Sequence, residues 1–130
     1  MSQENVEIVR RIFHEATARL AFPRELFDAD YEADLTDVGA GVLQGYEASQ
    51  DVLAPYWQTF EDFHIDVEEV IHADEGQVVT AVRDGGRIRG SDAEVWNRFF
   101  HVWTFGDGKI VRLSIHTDKN RALEAAGLRE

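Results

Sequence analysis

EVWNRFFHVWTFGDGKIVRLSIHTD, residues 94–118, reads as two long β-strands around one tight turn, and its apolar face carries a single titratable side chain, His101. An Asp-Gly pair, Asp107-Gly108, between alternating apolar runs is a strong hairpin signal. Two registers are open. A two-residue turn at Asp107-Gly108 pairs Gly106 with Lys109 and sets His101 opposite Ser114, mixing polar and apolar side chains on both faces. A three-residue loop with Gly108 as a left-handed bulge pairs Phe105 with Lys109 and His101 with Leu113. The second register sorts the side chains. One face becomes Phe99, His101, Trp103, Phe105, Val111, Leu113 and Ile115; the other carries Trp96, Arg98, Phe100, Val102, Thr104, Ile110, Arg112, Ser114 and His116. A slip by one residue swaps every side chain of a strand between faces, so burial selects the sorted register and turns His101 inward.

Outside this hairpin, composition sets the limits. With 130 residues, 44% of them apolar, the chain suits a single domain over residues 1–130. Thirteen basic against twenty-five acidic residues give a net charge of -12, which opposes nucleic acid and anionic membrane surfaces as partners. The absence of cysteine excludes disulfides, thiolate metal sites and a cysteine nucleophile. His64, His72 and His116 stand singly, without zinc-ligand spacing, so no metal is expected. The first residues, MSQENVEIVRRIFHEA, carry charges throughout, and no run approaches the roughly 20 apolar residues of a membrane span. A soluble, cytoplasmic protein is expected.

Val6, Val9, Phe13, Ala16 and Leu20 recur at three- and four-residue spacing, the stripe of an amphipathic helix. Pro23 opens a short turn, and a strand is expected over Tyr31 to Asp37. Glycines 39, 41 and 45 loosen the next stretch. Helical spacing resumes over Tyr46 to Phe60, interrupted or kinked at Pro55. Residues 63–73 and 77–90 read as two strands, followed by the hairpin and by a last helix capped by Asp118 and ended by Gly127. Helices first and consecutive strands after them indicate an α+β layer packing.

This order of elements resembles the NTF2-like superfamily, in particular its SnoaL-like and ketosteroid-isomerase-like members. The residues that carry the resemblance are LFDADYEADL (26–35), HVWTFGDGKIVRLSI (101–115) and ALEAAGL (122–128). It implies a cone of helices wrapped by a strongly bent mixed or antiparallel sheet around an apolar cavity, often dimeric through the outer sheet face. The family's activities range from isomerases, polyketide cyclases, dehydratases and hydrolases to subunits with no chemistry. Carried over residue by residue, the acid of the isomerase oxyanion hole falls on His101, a place where cyclases can hold histidine. The cyclase aspartate of the following strand falls on Ile115. The isomerase tyrosine falls on Ile12 or Phe13, and the base aspartate on Leu35, flanked by Asp34 and Asp37. Neither constellation is complete.

His101 is the candidate acid or base, with Asp34 as the first carboxylate to consider as its partner. Tyr56, Trp57, Phe60, Phe99, Trp103, Leu113 and Ile115 are the candidate lining of a cavity for a flat, largely apolar ligand. Trp96, Phe100, Val102, Ile110 and Arg112 form an outer patch that suits a symmetric homodimer. Three functions fit: binding of a small apolar molecule, a cofactor-independent isomerase, cyclase or hydrolase working through His101, or a non-catalytic dimeric accessory protein.

Overall fold

The computed structural model describes residues 2–128. Among them the stripe of the first helix becomes α1 (Ser2–Arg19), which buries Val9, Ile12, Phe13 and Ala16. The Thr17 hydroxyl ties α1 to a strand, donating to the Ile65 carbonyl and accepting from the Ile65 amide, both at 3.1 Å. A short 3₁₀ turn, Arg24–Leu26, leads into β1 (Phe27–Leu35), which begins four residues earlier than the sequence indicates. The glycine-containing stretch after it is not a loose loop: Gly41–Gln44 forms β2, an edge strand pairing antiparallel with β1. Its alternation is too short to register as a strand in sequence.

The second helix, α2 (Tyr46–Gln58), runs through Pro55 without interruption. Proline cannot donate to the carbonyl one turn back, but Pro55 and Asp51 both face solvent, where water satisfies that acceptor. Then follow β3 (His64–Ala73), β4 (Gln77–Arg87), β5 (Glu94–Gly106) and β6 (Lys109–His116), and finally α3 (Lys119–Ala125). Asp118 caps α3, its carboxylate accepting from the Asn120 amide at 2.7 Å. The strands form one mixed sheet in the order β2-β1-β6-β5-β4-β3, in which only β1 and β6 run parallel. The expected α+β architecture is therefore present. No helix among the described residues is long and apolar enough to cross a membrane.

The β5–β6 hairpin differs from both expected registers. Asp107 and Gly108 have φ of 53° and 79°, a two-residue type I′ turn, and Gly106 pairs with Lys109. The extra residue enters one step later, within β6, so that Phe105 faces Ile110 while Thr104 faces Arg112, leaving Val111 as the bulge. Beyond it His101 stands opposite Ile115 rather than Leu113 or Ser114. The tight turn keeps the twist that flanking strands favour, and the bulge restores the sorting that the turn alone would destroy. His101, Trp103, Phe105, Leu113 and Ile115 all lie in buried positions.

The displaced bulge also overturns the expected place of Ile110. It is fully buried in the main core rather than on the outer patch, while Val111 belongs to neither buried cluster. Two further members of that patch are covered by the chain itself. Phe100 and Val102 pack with Val79, Ala81 and Ala122 beneath α3, forming a second, smaller core. Trp96 lies under the Arg83 guanidinium, 3.9 Å from its ring centre, and Arg112 pairs with Glu32 at 2.9 Å and Asp34 at 3.0 Å. The C-terminal helix thus does within one chain much of what the sequence assigned to a second copy.

Candidate functional site

Between α2 and the inner face of the sheet lies a cavity of about 210 Å³, walled mainly by apolar side chains. Val38 and Val52 on its lining are 37% and 38% exposed and mark where it meets solvent. Of the residues the sequence nominated, His101, Tyr56, Trp57, Phe99 and Ile115 line it. Phe60, Trp103 and Leu113 instead belong to the packed core. Trp103 is fully buried, with Phe13 and Phe22 rings each 5.7 Å from its own, so it fills space rather than bordering it.

His101 is 3% exposed, wedged between Phe13 and Trp103 with ring centres 5.5 and 5.7 Å away. Its Nδ1 has no hydrogen-bond partner, and neither has the hydroxyl of Thr80, its neighbour on the adjacent strand. Burial pushes the imidazole pKa down to about 3, with a smaller contribution from His116. The ring is uncharged at neutral pH and can serve only as a neutral donor or acceptor.

Asp34 is not brought to His101. Alternation along β1 turns Tyr31, Ala33 and Leu35 toward the core and Asp34 to the opposite face, where it accepts from the Thr36 amide at 3.1 Å and from Arg112 at 3.0 Å. Hydrogen bonding from Thr36, its hydroxyl ahead of its amide, and the Arg112 guanidinium hold its carboxyl below the ordinary range.

The carboxylate that does reach the cavity is Asp84, which sequence reading passed over. It is 3% exposed, and its Oδ1 accepts from the Tyr56 hydroxyl at 2.7 Å. The same hydroxyl accepts from Asn97 Nδ2 at 2.7 Å, so α2, β4 and β5 meet in one chain of hydrogen bonds. Burial drives the Asp84 pKa up to about 6, against the lowering effect of Tyr56 and Asn97. The signal was present: Asp84 shares the parity of Val78 and Val82 on β4. Gly85, at φ 148°, is needed for close approach rather than for turning, since a Cβ there would meet the Val95 carbonyl oxygen at 2.0 Å.

A second polar cluster lies on the outer face. Ser114 Oγ stands 2.9 Å from His116 Nε2, and His116 Nδ1 stands 2.6 Å from Asp37, which also accepts from Arg121 at 3.1 Å. The connectivity is that of a hydrolase triad. Ser114, however, is only 1% exposed and borders none of the described pockets, so its oxygen has no approach for a substrate. The cluster joins β6, α3 and the turn after β1. Among the described residues no group of three or more His, Cys, Asp or Glu side chains could hold a metal ion.

The SnoaL-like domain family matches residues 9–113. No curated protein matches the chain in sequence. Among solved structures, a protein of Catenulispora acidiphila with a ketosteroid isomerase-like fold, in complex with trimethylamine, superposes with a TM-score of 0.70 at 20% identity over 95% of this chain and 94% of its own. A protein of Jannaschia sp. proposed to be a SnoaL-like polyketide cyclase gives 0.74 at 21% identity over 99% and 95%. AclR of Streptomyces galilaeus, a proposed hydroxylase, gives 0.77 at 13% identity over 98% of each chain. At these identities the likeness is one of fold.

Proposed function

This chain belongs to the SnoaL-like domain family, with its NTF2-like cone, and on that footing we propose that it binds a small, largely apolar molecule in the cavity between α2 and the sheet. The observation that carries the proposal is the cavity itself: about 210 Å³, lined mostly by aliphatic and aromatic side chains with Asp84, Tyr56 and His101 as its polar groups. Few, convergent polar groups on an apolar wall are the usual make-up of a small-molecule site. The volume lies below the roughly 300–1,000 Å³ of sites for drug-sized ligands, so the ligand is small. An accessory role without a ligand would leave this space without a purpose that the packing explains.

A thermal-shift screen of short aromatic acids, ketones and alkylamines tests this reading. A ligand at about 100 times its Kd should stabilise the protein by about 2.7 kcal/mol. In a nuclear magnetic resonance titration it should move the signals of Trp57, Phe99 and Ile115. Hits that perturb only surface residues would refute the assignment.

A second reading, cofactor-independent proton transfer, is favoured by one feature: a carboxylate with a pKa near 6 and a neutral imidazole line the same cavity. Asp84 in its ionised form would accept a proton from carbon next to a carbonyl, while His101 would donate a hydrogen bond to the carbonyl oxygen. Asp84 replaces Asp34 as the partner in this scheme. Incorporation of solvent deuterium into a bound ketone, lost in Asp84→Asn, is the expected result; equal exchange with and without the protein rejects it.

Pairing of two copies through the outer sheet face is proposed on narrower ground than the sequence offered. Its support is Trp96, half-buried beneath the Arg83 guanidinium on the outer side of β5. Sedimentation at micromolar concentration should give a dimer; a monomer contradicts it.

A further inference from the structure

The Asp84 carboxylate is buried without a counter-charge. Its hydrogen-bond partner Tyr56 is neutral, and among the described residues no ion pair includes Asp84. Each element around it faces it with uncharged groups: Tyr56 and Trp57 from α2, Ile65 from β3, Asn97, Phe99 and His101 from β5. The nearest arginine in sequence, Arg83, points to the other face and stacks on Trp96. His101 is the one other group on the lining that could become cationic, and burial keeps it neutral. An ionised carboxylate left unpaired in such surroundings is costly unless something positive arrives.

What surrounds the carboxylate narrows the choice. The rings of Tyr56, Trp57 and Phe99 border the same space, and an aromatic wall favours diffuse, weakly hydrated cations over strongly hydrated ones. A hydrated metal ion would need several oxygen ligands, and one carboxylate with aromatic walls does not supply them. An anionic ligand would be repelled by Asp84 and by the chain's net charge of -12.

Building on the reading of this cavity as a small-molecule site, we propose that its ligand is a small alkylated ammonium, with Asp84 as counter-ion and the Tyr56, Trp57 and Phe99 rings enclosing the alkyl groups. The net negative charge of the protein draws such cations toward it, and the limited volume rejects larger ones. Binding then depends on ionised Asp84. It weakens as pH falls through the range in which that carboxyl takes up its proton.

The test uses calorimetry on the full chain with two probes of the same shape: choline, and its uncharged carbon analogue in which a quaternary carbon replaces nitrogen. At about pH 8 and constant ionic strength, choline should bind at least about tenfold more tightly than the analogue. The preference should vanish at about pH 5 and in Asp84→Asn. Should the analogue match choline at the higher pH, or Asp84→Asn keep the preference, the ammonium proposal is overturned while the small-molecule reading stands. Failure of both probes to bind also overturns it, and the thermal-shift screen then decides the broader reading separately. The pH series on the unaltered chain decides the matter even if the variant folds poorly.

Discussion

The Tyr56 hydroxyl lies 2.7 Å from Asp84 Oδ1, joining the inner side of α2 to the inner face of β4 at the polar end of an otherwise apolar cavity. This contact fixes the spacing between helix and sheet at the site and supplies the Asp84 carboxylate with a hydrogen bond from a neutral donor. It leaves the negative charge unbalanced.

That imbalance predicts that the protein is more stable without the charge. The folded-state pKa of Asp84 is raised from 3.8 to about 6. Its contribution to stability is therefore fully present below the unfolded value and is lost as pH rises through about 6. Asp84→Asn should stabilise the chain by roughly 2–3 kcal/mol near neutral pH and give no gain near pH 4, read by urea unfolding. Equal destabilisation at both pH values would show that the carboxylate is compensated.

His101 predicts the opposite slope. Its folded pKa is lowered from 6.5 to about 3, so its contribution is present above 6.5 and is lost as pH falls through that window. Between about pH 4 and 6 the Asp84 and His101 slopes offset one another, each worth about 1.4 kcal/mol per pH unit. In the Asp84→Asn background, unfolding free energy should fall steeply with acid, and His101→Phe added to that background should flatten the fall. No difference between the two would place the source of the acid sensitivity elsewhere.

Gly85→Ala should cost several kcal/mol, because the added Cβ meets the Val95 carbonyl oxygen at 2.0 Å and the φ of 148° disfavours any side chain. The loss should be accompanied by weaker ligand binding, since β4 and β5 position Asp84 and Asn97 at this point. A shift of melting temperature of less than about 2 °C would contradict the close approach.

Replacing His116 by alanine removes hydrogen bonds to Ser114 and Asp37 and should destabilise by about 1–3 kcal/mol. It should leave affinity for cavity ligands unchanged. The Asp37 carboxyl is held below its ordinary range mainly by His116, so the stability it contributes is present above its unfolded pKa and is lost as pH falls through the lowered one. Esterase activity abolished in both Ser114→Ala and His116→Ala would reverse the structural assignment.

Much of the architecture was legible because long periodic segments speak clearly. The Val9, Phe13 and Ala16 stripe, the alternation of β5 and the Asp118 cap all appear where the sequence places them. The hairpin register was harder, since a bulge at Val111 carries no residue signature and depends on the twist of the tight turn beside it. The outer face was misread for a tertiary reason: nothing in Phe100 or Val102 tells whether a second copy or the chain's own α3 covers them. Asp84 was passed over because a lone carboxylate beside two glycines carries no motif of its own, although its parity on β4 turns it inward. Asp34 was chosen for its place beside Leu35, but parity along β1 sends it to Arg112 instead.

The most direct measurement is a crystal structure determined after soaking with a cocktail of small ketones, aromatic acids and alkylamines. The account predicts ligand density bounded by Tyr56, Phe99 and His101, with a polar atom of the ligand against Asp84. Side chains repacked to close that space, or fragments bound only at the surface, would contradict it.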